Sequence, residues 1–328
     1  MSARHLRMIA LGLAVLLLLW GGSELLSRGS DKVAGRLALP TLTPAGVDTV
    51  TLVKGGDTIV LAKQAADSWT VNGRRSAAGG VTDLFAALRD SVPPELVAQD
   101  PSSFGRLGVD SAAGRWLRVR GGGKLLVQLI VGARGSEFES AYVRRPGDSH
   151  VYLWHGRLAT LADRALDEWR DKRIVALPPD SIGGVAVERG QERYTLARAG
   201  GRWLLGGRAT DSAAVARYLD HFRTMTASGF ATAPQADSTR GRRPARRLTV
   251  RGAAGSVLFQ CAFDSTPTGF LVRPLAGRGG EGATVYKLSV WDVDGLTPAG
   301  RSLLPAAATT PPAPSAPKKG PSAPSNPK

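Results

Sequence analysis

Apolar and polar positions alternate along Val50-Thr51-Leu52-Val53-Lys54-Gly55, and the same alternation returns at Val185-Ala186-Val187-Glu188-Arg189-Gly190. Period-two patterning of this kind marks half-buried strands. The correspondence continues through Leu61-Ala62-Lys63 against Leu196-Ala197-Arg198, Trp69 against Trp203, and Gly73-Arg74 against Gly207-Arg208. The offset holds at about 135 residues throughout, the mark of an internal repeat. Each copy then changes period: Val81, Leu84, Phe85 and Leu88 recur at helical steps, as do Val215, Leu219 and Phe222. Asp211 or Thr210 is placed to cap the second helix, and Gly79-Gly80 precedes the first. Beyond the helices, "RWLRVRGGGKLLVQLIVG" from Arg115 matches "RRLTVRGAAGSVLFQCAF" from Arg246, two alternating strands joined by a glycine turn. "AYVRRPGDSHVYLW" from Ala141 answers "GFLVRPLAGRGGEGATVYKL" from Gly269 in the same way.

Each copy thus predicts three strands, a helix and about four more strands. The fold class expected is α+β: two tandem copies of a mostly antiparallel sheet module, each with one packed helix, behind an N-terminal transmembrane helix. Repeat 1 is assigned to residues 47–157 and repeat 2 to 182–304. Between them, residues 158–181 read as a linking helix and boundary. "LATLADRALDEWRDKR" has apolar residues at Leu158, Leu161, Leu166 and Trp169, and Pro178-Pro179 stops the segment. Trp69, Trp116, Trp154, Trp203 and Trp291 all fall at expected strand positions and read as core.

The chain opens with Arg4 and Arg7 ahead of an apolar run from Met8 to Trp20. Thirteen helical residues reach about 20 Å, and extension to Leu26 reaches about 28 Å, close to the roughly 30 Å of a hydrocarbon core. Residues 1–7 are therefore expected in the cytoplasm, 8–26 as a transmembrane signal anchor and 27–46 as a linker. A cleaved signal peptide, cut after Ser23, is the competing reading. Basic residues before the span and mixed charges after it place the bulk of the chain outside the cytoplasm, on a single pass through the cell inner membrane. Residues 305–328 form a Pro/Ala/Ser/Lys tail with too little apolar content to build a core, and are expected to be disordered.

A formal charge of +16 raises the question of an anionic partner. Most arginines are scattered, but "STRGRRPARRLTVR" concentrates Arg240, Arg242, Arg243, Arg246, Arg247 and Arg251 without an acid. The first five are the candidate anion or partner contacts, although Arg246 and Arg251 fall on the alternating strand. Anionic lipid, wall polymer or an acidic partner fits this run. Nucleic acid is not expected, since the chain is read as exported and no aromatic side chain interrupts the arginines. At the same place in repeat 1 stands "QDPSSFGRLGVDSAAGR", where Phe104 and Leu107 read as anchors pinning a long loop.

Reaction chemistry is hard to find. His5, His150, His155 and His221 form no zinc pair, no HExxH, GxxxxGK[ST] or GxSxG occurs, and the Gly-rich "GARGSEF" at Gly132 lacks both the GxGxxG spacing and a following dinucleotide-type βαβ unit. Asp292 and Asp294 in "WDVDG" lack the rest of a calcium loop and read as a turn or cap. Cys261, the only cysteine, lies in an alternating strand as a small core residue. No cofactor, metal or catalytic residue is assigned.

The Trp strand, the helix, "DPSSFGRLGVD", the glycine-turn hairpin, "YVRR", "VYLW" and "LDEWRDKRIVAL" together resemble the domain-of-unknown-function family numbered 4340, from about Val47 to Leu304. In repeat 2 the arginine run replaces the Asp-Pro turn. The resemblance implies membrane anchoring and an accessory role beside gliding-motility-type ABC transporter components, and it carries no catalytic residues. The expected function is a non-catalytic, membrane-tethered binding or scaffolding subunit of an ABC-type transport or envelope complex. Two other readings stay open: an envelope hydrolase acting on wall or surface glycan, and a polyanion-binding module using the arginine run.

Overall fold

The computed structural model describes residues 37–66, 68–89, 93–137, 139–277 and 284–306. The expected anchor at 8–26, its flank at 1–7, the first half of the linker and all but the first two residues of the tail lie outside the described residues. Among the described residues no helix is long and apolar enough to cross a membrane. The chain divides into two compact units between Lys172 and Arg173.

In the first unit the strands are β1 (Thr49–Lys54), β2 (Asp57–Ala65), β3 (Ser68–Val71), β4 (Arg74–Arg75), β5 (Glu95–Ala98), β6 (Arg115–Gly121), β7 (Lys124–Arg134), β8 (Ser140–Arg144) and β9 (Val151–His155). They build one antiparallel sheet in the order β4-β3-β2-β1-β6-β7-β8-β9-β5. The helix Ala78–Arg89 buries Val81, Leu84, Phe85 and Leu88, the helical face read from the sequence. It joins Val50, Leu52, Leu117 and Val119, paired across β1 and β6, in one core.

The second unit begins with β10 (Arg173–Val175), which pairs with β15 (Met225–Thr226). Its main strands are β11 (Ile182–Arg189), β12 (Glu192–Ala199), β13 (Arg202–Leu205), β14 (Arg208–Ala209), β16 (Gly229–Phe230), β17 (Arg246–Gly252), β18 (Val257–Thr266), β19 (Gly269–Gly277) and β20 (Tyr286–Leu288). Their order is β14-β13-β12-β11-β17-β18-β19-β20-β16, the same as in the first unit once the counterparts are substituted. Even the register repeats: Val50 faces Val119 and Leu52 faces Leu117, while Val185 faces Val250 and Val187 faces Leu248. Cys261 faces Leu248 as Leu129 faces Leu117, and it is fully buried, as the alternation predicts.

Local chemistry repeats with local differences. Asn72-Gly73 and Gly206-Gly207 make the two-residue turns after β3 and β13, and all four residues have positive φ. Such turns match the twist of the flanking strands, and Asn or Gly tolerates the left-handed backbone. Asp211 caps the helix Ser212–Asp220 by accepting from the Ala213 and Ala214 N–H groups at 2.8 and 3.0 Å.

Three expectations need correction. The segment after β9 is not one linking helix. It forms two short helices, Leu158–Ala162 and Leu166–Trp169, and Leu158, Leu161 and Trp169 are buried in the first unit's core. Gly79 and Gly80 lie inside the first helix, and a Cβ on Gly80 would sit 3.2 Å from the Trp169 ring, so this glycine admits the indole. The Trp169 carbonyl accepts from Ala77 N–H at 2.8 Å, just as the Leu303 carbonyl accepts from Asp211 N–H at 2.9 Å in the second unit. The expected link is therefore the closing segment of the first module. The third correction is Trp291: it lies on the helix Val290–Leu296, not on a strand, and is 87% exposed.

Candidate functional site

The long loop after β5 is a satellite core. Leu107 and Val109 are buried against Ile130 and Val151, with Phe104 packed at the edge. Arg144 at the end of β8 secures it. Its Nε and Nη2 donate to the Val109 carbonyl at 3.1 and 2.9 Å, Nη1 reaches the Asp148 carbonyl at 3.2 Å, and the guanidinium lies 4.0 Å from the Phe104 ring centre. Asp110 accepts from Ala113 and Ala112 N–H groups, which hold its carboxyl below the usual range. Phe104 and Leu107 thus act as anchors.

The arginine run of the second unit is spread over different environments. Arg240, Arg242 and Arg243 follow the short helix Ala233–Asp237 and are exposed, with Arg240 pairing to Asp237 at 3.1 Å. Arg247 lies on β17 with its side chain exposed, flanked by Glu188 on β11 and Ala262 on β18. Arg246 points the other way. Its Nη1 donates to Asp294 at 2.6 Å and to Thr297 Oγ1 at 2.8 Å, and its guanidinium lies 5.0 Å from the Phe270 ring centre. A guanidinium so engaged serves the fold, and Asp294, also 3.4 Å from Arg189, is its counter-charge. Asp292 completes a capping box with Ser289.

His150 contacts Asp148 at 2.6 Å, and His155 at the end of β9 lies 3.1 Å from Glu137. Among the described residues no group of three or more His, Cys, Asp or Glu could hold a metal ion. Burial pushes the Cys261 thiol well above its ordinary pKa, which suppresses the nucleophilic thiolate.

A cleft of about 620 Å³ in the first unit collects charges that no sequence motif singled out. Arg134 at the end of β7 meets Arg164, Arg170 and Lys172 from the closing segment, with the Thr160 hydroxyl on the same wall. Its acids are already committed. Asp163 receives Lys54 at 3.1 Å and Arg115 at 3.4 Å, and Glu168 accepts from Ala165 N–H at 3.2 Å. Arg164 pairs with Asp83 at 3.3 Å and Arg170 with Asp167 at 3.8 Å. Arg134 and Lys172 have no side-chain partner among the described residues. Donors left over in a concave site are suited to carboxylate or phosphate oxygens. The signal in the sequence was the cation spacing of "WRDK", which the helical reading of the segment had absorbed.

A family model described as Domain of unknown function (DUF4340) matches residues 69–244, more than half of the chain. The chain belongs to the DUF4340 family. No curated protein and no solved structure matches it. The DUF4340 span runs from Trp69 on β3 to Pro244 just before β17, so it takes in the whole lining of the first-unit cleft and crosses from one unit to the other.

Proposed function

We propose that the chain is a non-catalytic, membrane-tethered binding or scaffolding subunit on the extracytoplasmic face of the inner membrane, accessory to an ABC-type transport or envelope complex. The basic apolar run at the N-terminus supports the tether and its orientation. The observation that carries the binding role is the first-unit cleft, where Arg134 and Lys172 have no side-chain partner among the described residues, while the two acids of the lining are engaged by Lys54 and Arg115 and by the Ala165 N–H. A partner presenting carboxylates suits these two cations, and rigid strands and a packed closing segment hold the donors in place.

The test is affinity purification of the full chain from detergent-solubilised membranes, with co-purifying subunits identified by mass spectrometry. ABC transporter subunits should travel with the wild type and be lost from R134Q/K172Q at unchanged thermal stability. Their absence from the wild type contradicts the assignment. A second reading rests on Arg242 and Arg243, which are exposed beside Arg240: attachment to anionic lipid, visible as salt-sensitive co-sedimentation with phosphatidylglycerol vesicles.

A further inference from the structure

The second unit contains a cleft of about 500 Å³ lined by Trp203 together with Arg198, Arg217, Asp180 and Ser212. Its volume falls in the range of about 300–1,000 Å³ common for small-molecule sites. Its origin is visible by comparison with the first unit. Trp69, the counterpart of Trp203, is 7% exposed and packs on Phe85 with ring centres 5.9 Å apart. The helix of the second unit carries Leu219 at that position, and the smaller side chain leaves the indole of Trp203 half-exposed. Lys63, paired across from Trp69, donates its Nζ to the Pro44 and Ala45 carbonyls at 2.9 and 3.2 Å and ties down the turn Pro44–Gly46. Arg198, paired across from Trp203, makes no such bond to the corresponding turn Pro179–Ser181, which presents Asp180 where the first unit has Ala45. Asp83 binds Arg164 in the first unit, whereas Arg217 at the same helical position has no side-chain partner among the described residues.

The second module has thus lost the groups that close this corner and gained charged ones. We propose that this cleft binds an acidic saccharide, one whose sugar rings carry carboxylates. The indole offers an apolar surface to the C–H face of a sugar ring. Arg198 and Arg217 supply forked donors for a carboxylate. Asp180 accepts from ring hydroxyls, and Ser212 can accept or donate. Asp180 and Asp220, the latter held by Arg223 at 2.8 Å, add negative charge to the cleft, which favours singly charged carboxylates set among neutral ring hydroxyls over a doubly charged phosphate. The site lies apart from the first-unit cleft in sequence and does not depend on its role.

Calorimetric titration of the full chain with trigalacturonate tests this, with maltotriose as the neutral ring of equal length and inorganic phosphate as a bare anion. Trigalacturonate should bind, maltotriose should bind about tenfold more weakly or worse, and phosphate should give no saturable heat. R198Q/R217Q should weaken trigalacturonate at least about tenfold at an unchanged melting temperature. W203F should reduce the accompanying fluorescence change. R134Q/K172Q should bind as wild type, which separates this result from the transporter test. No binding of trigalacturonate, phosphate binding of equal strength, or a loss in R134Q/K172Q matching that in R198Q/R217Q overturns the proposal.

Discussion

Trp69 and Trp203 occupy the same place in sheets of the same strand order, yet one is sealed and the other lines an open cleft. The difference lies in neighbours rather than in backbone. Phe85 packs on the first indole and Lys63, paired across from it, is tethered to the turn, whereas Leu219 and the untethered Arg198 leave the second indole half-exposed. A duplicated fold shows in this way which residues the architecture needs and which are free to change. The same lesson holds on the other side of the sheet. Arg144 on β8 and Arg273 on β19 stand at matching positions, opposite Ile130 and Ala262. Arg144 grips the loop carrying Val109, whereas Arg273 pairs with Asp264 through Nε at 2.7 Å and Nη2 at 3.3 Å. One arginine fastens a loop and the other balances a charge within its own sheet.

The largest expected effect separates the two tryptophans. Trp69→Ala should destabilise the first unit by about 3–5 kcal/mol, the cost of truncating a buried large aromatic. Trp203→Ala should cost only about 1–2 kcal/mol, because part of its surface already meets water. Chemical denaturation of the two variants checks this, and equal losses would break the contrast. Next comes Arg144→Met, which removes the donors to the Val109 carbonyl but keeps apolar contact with Phe104. It should cost about 1–3 kcal/mol, since a buried carbonyl is left without its partner. Hydrogen exchange should rise in residues 100–114, while the second unit is unaffected. The smallest effect is expected for the combined change of Arg240, Arg242 and Arg243 to Ser, which should move stability by no more than about 0.5 kcal/mol, as for exposed charges generally. A larger loss in a thermal melt would mean that these side chains serve the fold as Arg246 does.

Much of this architecture was legible in the chain itself. Alternation located the paired strands, helical spacing located Val81, Leu84, Phe85 and Leu88, and the repeat announced the shared strand order. The closing segment was hidden because its two copies share a hydrogen bond and not a residue pattern: Trp169 and Leu303 offer equivalent carbonyls from unlike side chains. Tyr218, buried with its hydroxyl donating to the Leu296 carbonyl at 3.0 Å, was missed for the related reason that its partner lies far along the chain. Arg246 could have been separated from its neighbours, since it shares the inward phase of Leu248 and Val250, whereas Arg247 shares the outward phase of Thr249. Trp291 misled because an aromatic residue beside a valine reads as strand, while the capping box of Ser289 and Asp292 starts a helix there. The clefts depend on which side chains fail to reach one another, and sequence spacing does not encode that distance.

The central claim is that one position of a repeated fold is closed in the first module and open in the second. Fluorine NMR of the chain labelled with 5-fluorotryptophan tests it most directly, because the seven tryptophans can be assigned by replacing each in turn with phenylalanine. On changing the solvent from H2O to D2O, the Trp203 resonance should show a clear isotope shift and the Trp69 resonance little or none. Leu219→Phe should then shrink the shift at Trp203 toward that of Trp69. Equal shifts at the two positions, or a Trp203 shift indifferent to Leu219→Phe, would contradict the account.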